Sequence, residues 1–191
     1  MANTTTNVTT GKPAVAGAIY VESASTSQLP TTAEATLTGF TSLGFVSEDG
    51  LTNANTFEST AIKEWGGADV LTIENNYTDT FTFTLLEALN PDVLKEVFGS
   101  ANVSGSLATG ITVNVKPSQH SSKKWVVDMV MRNGVLKRIC IPAGAVSAVA
   151  EIAYKNDQAV GYNITLTCMA DTTGNTHYEY IKTPSTPGAG G

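Results

Sequence analysis

Two histidines, two cysteines, one acidic turn and one basic-aromatic cluster are the residues of this chain best suited to chemistry. His120 sits in the polar run SQHSSKK, and His177 follows the turn 173–175. Neither has a Cys or Ser nucleophile with a third, orienting group close in sequence, as nucleophilic or acid–base catalysis requires. Both are read as solvated. Cys140 and Cys168 stand far apart without metal-ligand spacing, each inside an apolar strand pattern, so reduced, buried thiols are expected. Glu48-Asp49-Gly50 shares residue types with calcium loops but lacks their alternating acidic positions and closing glutamate, which leaves a plain turn. Lys123-Lys124 beside Trp125 could in principle hold a phosphate and stack a base. The reading adopted is a strand start whose lysines stay in water. No Walker-type loop and no Gly-x-Ser-x-Gly is present. No catalytic, cofactor-binding or metal-binding residue is assigned, and by elimination the chain does not read as an enzyme.

What the sequence spells out more fully is scaffold. Residues 77–99, YTDTFTFTLLEALNPDVLKEVFG, begin by alternating: Tyr77, Phe81, Phe83 and Leu85 on one face of a strand, Thr78, Thr80, Thr82 and Thr84 on the other. The period then changes. Asn90 can accept from the first free amides of a helix, Pro91 suits the first helical position, and Asp92 suits the positive end of the dipole. Val93, Leu94, Val97 and Phe98 share one side, and Gly99 can close the helix. A half-buried strand thus runs into a short helix, 90–98, that lies over a sheet.

Strands are also predicted over 14–21, 40–47, 57–65 and 111–115. A hairpin follows in WVVDMVMR-NG-VLKRICIP, where a two-residue Asn133-Gly134 turn pairs Met131 with Leu136 and Val127 with Cys140. That register puts Trp125, Val127, Met129, Leu136 and Cys140 on one face, and Val126, Val130, Ile139 and Ile141 on the other. Both faces are apolar, so both need cover, from the helix or from another subunit. Tyr162, Ile164, Leu166 and Cys168 alternate with Asn163, Thr165 and Thr167, and HYEYI forms a last short strand. Residues 22–38 have no period, and a segment of that length and polarity is expected to fold against a partner. A flexible arm, 1–13, and a flexible tail, 182–191, flank one domain over 14–181.

Composition agrees. Of 191 residues only 15% are charged, against roughly 25% in an average domain, and Thr, Ser, Asn and Gly fill the deficit. That balance favours strands and turns. The net charge of −6 argues against a protein that grips nucleic acid by its phosphates, though not against a surface that lets it pass. No apolar run has signal-peptide or membrane-helix length, so a cytoplasmically made protein is expected, with its N-x-Ser/Thr sequons incidental.

The strings FTSLGFVSEDGLTN (40–53), IKEWGG (62–67), DTFTFTLLEALNPDVLKEVFG (79–99) and KKWVVDMVMRNGVLKRICIPAG (123–144) resemble the major tail tube protein of long-tailed, non-contractile bacteriophages. The order and spacing of these blocks, over most of 14–170, carry the resemblance; none has a chemical signature. It implies a mainly β fold: a two-sheet β-sandwich or partly open barrel with one short flanking helix. It further implies six copies in a hexameric ring, each giving four strands to one continuous inner β-barrel, and rings stacked into a hollow conduit for DNA ejection. The implied partners are other copies of the chain, a tape-measure protein in the lumen, tail terminator and distal tail proteins at the ends, and double-stranded DNA in transit. No cofactor and no membrane insertion are implied, and the implied location is the virion tail, assembled in the host bacterial cytoplasm.

Dimensions suit that reading. Twenty-four strands at about 4.8 Å, tilted by roughly 40°, give a backbone diameter near ~48 Å, which side chains narrow to roughly 35–40 Å. A duplex about 20 Å across passes with water around it. Glu58 and Glu64, with Thr80, Thr82, Thr84, Thr165 and Thr167, are the candidates for the lumen-facing wall. Residues 22–38 and the two ends are the candidate ring-to-ring contacts, mobile in a monomer and ordered on stacking. Deleting 24–36 is expected to leave a folded monomer unable to polymerise. The competing reading is a secreted or surface β-sandwich that binds carbohydrate or a host surface.

Overall fold

The alternation at 77–85 is the inner end of a much longer strand. In the computed structural model, which describes residues 3–14, 18–117 and 119–184, that strand is β5 (Asp69–Leu85). In chain order the described residues form β1 (Gly11–Pro13), β2 (Ile19–Glu22), β3 (Phe40–Ser42), β4 (Val46–Lys63), β5, α1 (Pro91–Phe98), β6 (Val103–Ser106), β7 (Gly110–Val113), β8 (Lys123–Met131), β9 (Leu136–Val149), β10 (Tyr162–Cys168) and β11 (Tyr178–Lys182). The main sheet runs β3-β2-β8-β9-β10-β5-β4, with β1 on β8 and β11 on β9, while β6 and β7 pair separately.

β9 turns this one sheet into two layers. Its first half pairs with β8 and β11, and from Gly144 onward it pairs with β10. The sheet therefore folds over on itself, and Trp125 of β8 comes within 6.3 Å of Phe83 of β5, a strand it does not neighbour. Between the layers lies a core that includes Phe81, Phe83, Leu85, Trp125, Ile141, Ile164 and Leu166. Helix α1 seats Val93, Leu94 and Val97 in the same core, and Phe98 stands edge-on to Tyr162 at 5.7 Å. Its start is as the sequence predicts: Asn90 Oδ1 accepts from the Asp92 amide at 3.0 Å, with Pro91 next to it. The result is mainly β, with one α-helix among the described residues, and its sheets are not closed.

Several expectations change. Glu48-Asp49-Gly50 is not a turn but part of β4. The extra residues between the pairs Val46↔Leu85 and Leu51↔Phe83 form a bulge, where Gly50 takes φ +70°, and pairing with β5 resumes beyond it. The β8–β9 connection is one residue longer than expected. Met131 N donates to Val135 O at 2.7 Å across Arg132–Gly134, and Asn133 and Gly134 both take positive φ. Val127 then faces Ile139, not Cys140. A one-residue slip moves a strand's side chains across the sheet, so Ile139 and Ile141 join Trp125 and Val127 in the core, and Val126 and Cys140 share the outer face.

Residues 23–38 cover that outer face. Ser27 and Ala33 are buried, the Cys140 thiol lies 3.5 Å from Pro30 O, and Arg138 Nη1 donates to Thr32 O at 3.2 Å and Ala35 O at 2.5 Å. Arg138 is itself gripped by Asp128, Nε to Oδ1 at 2.6 Å and Nη2 to Oδ2 at 2.8 Å. The segment expected to order only on stacking is ordered against its own subunit. Residues 24–36 therefore supply contacts within the subunit. The N-terminal arm is also partly structured: Gly11–Pro13 pairs with Met129–Met131, and Arg132 N donates to Thr9 Oγ1 at 3.0 Å. Residues 1–2 of that arm, 15–17 of the first predicted strand and 185–191 of the tail lie outside the described residues.

Candidate functional site: a hydroxyl-lined wall and a projecting hairpin

Two elements that alternate separately in sequence are brought side by side. β10 pairs with β5 so that Asn163 faces Thr84, Thr165 faces Thr82 and Thr167 faces Thr80. On the far edge of β5, Thr52, Ala54 and Thr56 of β4 face Thr82, Thr80 and Thr78. Directly paired residues share a face of the sheet, so one face of β4, β5 and β10 carries only threonine, asparagine and alanine at these positions. The opposite face carries Phe81, Phe83, Leu85, Ile164 and Leu166 into the core beneath α1. The hydroxyl face therefore points away from the helix.

Its side chains hold one another. Thr82 Oγ1 and Thr165 Oγ1 are 3.0 Å apart, Asn163 Nδ2 donates to Thr84 Oγ1 at 2.9 Å, and Thr167 Oγ1 donates to Ser147 Oγ on β9 at 2.8 Å. Ser147 Oγ in turn donates to Thr165 O at 3.1 Å. The threonine hydroxyls are half-buried, Ser147 is exposed, and none of these residues carries a charge. Such a wall is wet and polar yet offers a polyanion neither a cation to stop at nor an apolar patch to stack on.

Past Asp79 the pairing with β10 ends, and β4 and β5 continue alone as a two-stranded hairpin whose residues are exposed. Its turn is closed by Gly67 N donating to Glu64 O at 2.8 Å, with Gly67 at φ +90°, and by an ion pair of Lys63 with Asp69. Bulges after Glu58 and Ile62 set its faces, with Ile62 opposite Leu71 and Thr60 opposite Ile73. Phe57 and Tyr77 pack at 4.9 Å on the other face. Phe57, Ile62, Trp65, Val70, Leu71 and Ile73 are all exposed. A two-stranded ribbon is marginal alone, and this much apolar surface on one marks a contact site.

Of the seven candidate wall residues, the five threonines lie together. Glu58 lies farther out, opposite Asn76 on the hairpin, and Glu64 sits in the hairpin turn. His177 is not solvated as expected. Its Nδ1 lies 2.6 Å from Oδ2 of the fully buried Asp79, and its ring stands edge-on to Phe81 at 5.1 Å. Asn53 Nδ2 donates to Asp79 Oδ1 at 2.7 Å, so the network ties β4, β5 and the residue before β11 at the root of the hairpin. An acidic residue on the apolar side of an alternating strand was the one available signal.

Lys123 and Lys124 are also not simply in water. They pair with Glu96 at 2.6 Å and Glu22 at 3.2 Å, and Trp125 is buried with Nε1 donating to Gly144 O at 3.0 Å, which removes it as a stacking surface. Cys140 and Cys168 are free, buried thiols whose pKa burial pushes up to about 12, which suits packing and not nucleophilic attack. Among the described residues no group of three or more His, Cys, Asp or Glu is arranged to hold a metal, and no helix is long and apolar enough to cross a membrane.

The uncharged hydroxyl face is thus backed by the core, and the exposed apolar hairpin lies beside it. A search of curated proteins finds no match to the chain. The family model described as phage tail tube protein matches residues 1–189, and the chain accordingly belongs to that family of structural proteins of the bacteriophage virion tail.

Proposed function

We propose that the chain polymerises as stacked rings of six into a hollow tube, and that the tube is the conduit through which DNA leaves for the host. The observation that carries this reading is the uncharged hydroxyl wall on β4, β5, β10 and the second half of β9. These four strands alternate in direction, because each neighbouring pair is antiparallel. Both outer edges are open: β4 has no second neighbour, and β8 does not extend beside residues 145–149 of β9 among the described residues. The β4 edge of one copy can therefore meet the β9 edge of the next in antiparallel register, and an even number of strands per copy keeps the alternation around a closed ring.

In that ring Thr80, Thr82, Thr84, Thr165 and Thr167 line the lumen. Glu58 and Glu64 add carboxylates along the hairpin beside this neutral wall, and six copies at −6 each carry about −36. The outward side of residues 22–38, the chain ends and the hairpin are the proposed contacts between rings. A tape-measure protein fills the lumen before DNA does, and terminator and distal tail proteins close the ends. The tube is made in the host cytoplasm and ends in the virion. Electron microscopy of the purified chain tests this. Tubes of six-fold rings with a lumen of roughly 35–40 Å are expected, and discrete monomers at high concentration would refute it.

A further inference from the structure

We infer that the hairpin tip of one copy seats in a groove at the opposite end of a second copy, with Trp65 as its anchor. This rests on the stacked-tube reading. β5 is a ruler between the two surfaces. Its 17 residues begin at the hairpin turn and end at Leu85, so the two ends lie about 55 Å apart. At the Leu85 end β10 begins, with Tyr162 opposite Leu85, and β9 runs out at Val149, opposite Ile164. There a groove of about 440 Å³ opens between α1 and the chain after β7 and β9, lined by Val97, Phe98, Val115, Pro117, Val149 and Ile152. It is large enough for an indole, and Val115 and Val149 on its rim are exposed.

Charge selects this groove for that tip. On the hairpin Lys63 is taken by Asp69, whereas Glu58, Glu64 and Glu74 have no basic partner among the described residues. The groove is rimmed by Lys116 and His120, and Lys116 has no acidic partner among the described residues. Trp65 is fully exposed and follows Glu64 in the chain, so burying the indole carries the Glu64 carboxylate to the rim that Lys116 occupies. A second apolar cleft at the same end, around Leu86, Leu89, Leu107 and Val160, has no cation in its lining. Because tip and groove are different surfaces at opposite ends, the contact is head-to-tail and propagates without closing, as a filament requires.

The test uses the full chain with a photo-crosslinking benzoylphenylalanine at position 65, assembled as a mixture of isotopically light and heavy copies. The expected cross-links join light to heavy chains at residues 97–98, 115–117 or 149–152. Cross-links to 86–91, 107 or 159–160, or within one copy, would overturn the inference while leaving the tube intact. Trp65→Ala is expected to lower tube yield about thirtyfold, as loss of an aromatic anchor does, with an unchanged melting curve. Glu64→Lys and Lys116→Glu are each expected to lower it about tenfold, and together to restore it to within about threefold. Normal yield from Trp65→Ala, or no rescue in the double variant, would reject the seat. A wild-type chain that forms no tubes would remove both the seat and the reading beneath it.

Discussion

Asp79 and His177, far apart in the chain, meet at 2.6 Å at the root of the hairpin, where the Asp79 carboxylate has no access to water. Asn53 supplies the other oxygen's donor at 2.7 Å. β4, β5 and the segment entering β11, which has no ladder bonds to either strand, are thus pinned together at the point where the hairpin leaves the body.

Removing one partner leaves a buried carboxylate short of a donor, which costs more than the bond itself contributed. His177→Ala is expected to lower unfolding free energy by about 3 kcal/mol. Asp79→Asn in that background should recover part of it, because the uncompensated charge is gone. Urea unfolding of the two variants measures both, and equal stabilities would show that Asp79 is not the source of the loss.

Arg138 has a similar role on the outer face, where its guanidinium bridges Asp128 and two carbonyls of residues 32–35. A lysine cannot reproduce that fork. Arg138→Lys should cost about 2 kcal/mol and loosen residues 23–38, which limited proteolysis would report as earlier cleavage between 24 and 36. An unchanged cleavage rate would mean that the segment is held chiefly by its apolar contacts.

The two thiols give a signed pH dependence. Burial raises each from about 9 to about 12, so the folded state keeps protons that the unfolded state gives up. Their contribution is complete below pH 9 and is lost as the pH rises toward 12. The native protein should resist a thiol reagent at pH 8, and both cysteines should react once denaturant is added. Melting temperature should decline from about pH 9 upward in the wild type, and less steeply in a Cys140→Ala/Cys168→Ala variant.

Much of this architecture was legible beforehand, and the failures share one cause. Strand 77–85 and the helix at Pro91 follow from local period and capping, which neighbours cannot change. The length of β4 does not: Glu48-Asp49-Gly50 reads as a turn unless one knows that β5 continues beside it and absorbs a bulge. The β8–β9 register depended on whether the loop holds two residues or three, which Asn133-Gly134 alone does not decide. At the wall, the threonine alternations at 78–84 and 163–167 were each visible. Their adjacency was not, because it needs β10 to return against β5. The Asp79–His177 contact is likewise a product of tertiary return and has no local signature beyond the misplaced acid.

The wall's neutrality can be reversed at one position. Thr165→Lys places a cation beside Thr82 on each copy without touching the core. Assembled tubes of this variant should retain duplex DNA in a salt-dependent way, far more at 50 mM than at 200 mM salt, where wild-type tubes retain little at either. Equal retention by the two would take Thr165 off the DNA path.

The bend in β9 has a mechanical meaning. Residues 136–141 and 144–149 belong to different layers yet are one uninterrupted backbone. A force pulling the two layers apart is therefore resisted in tension by covalent bonds as well as by packed side chains. In the proposed tube, a lining woven in this way into its jacket would not delaminate when the contents surge through.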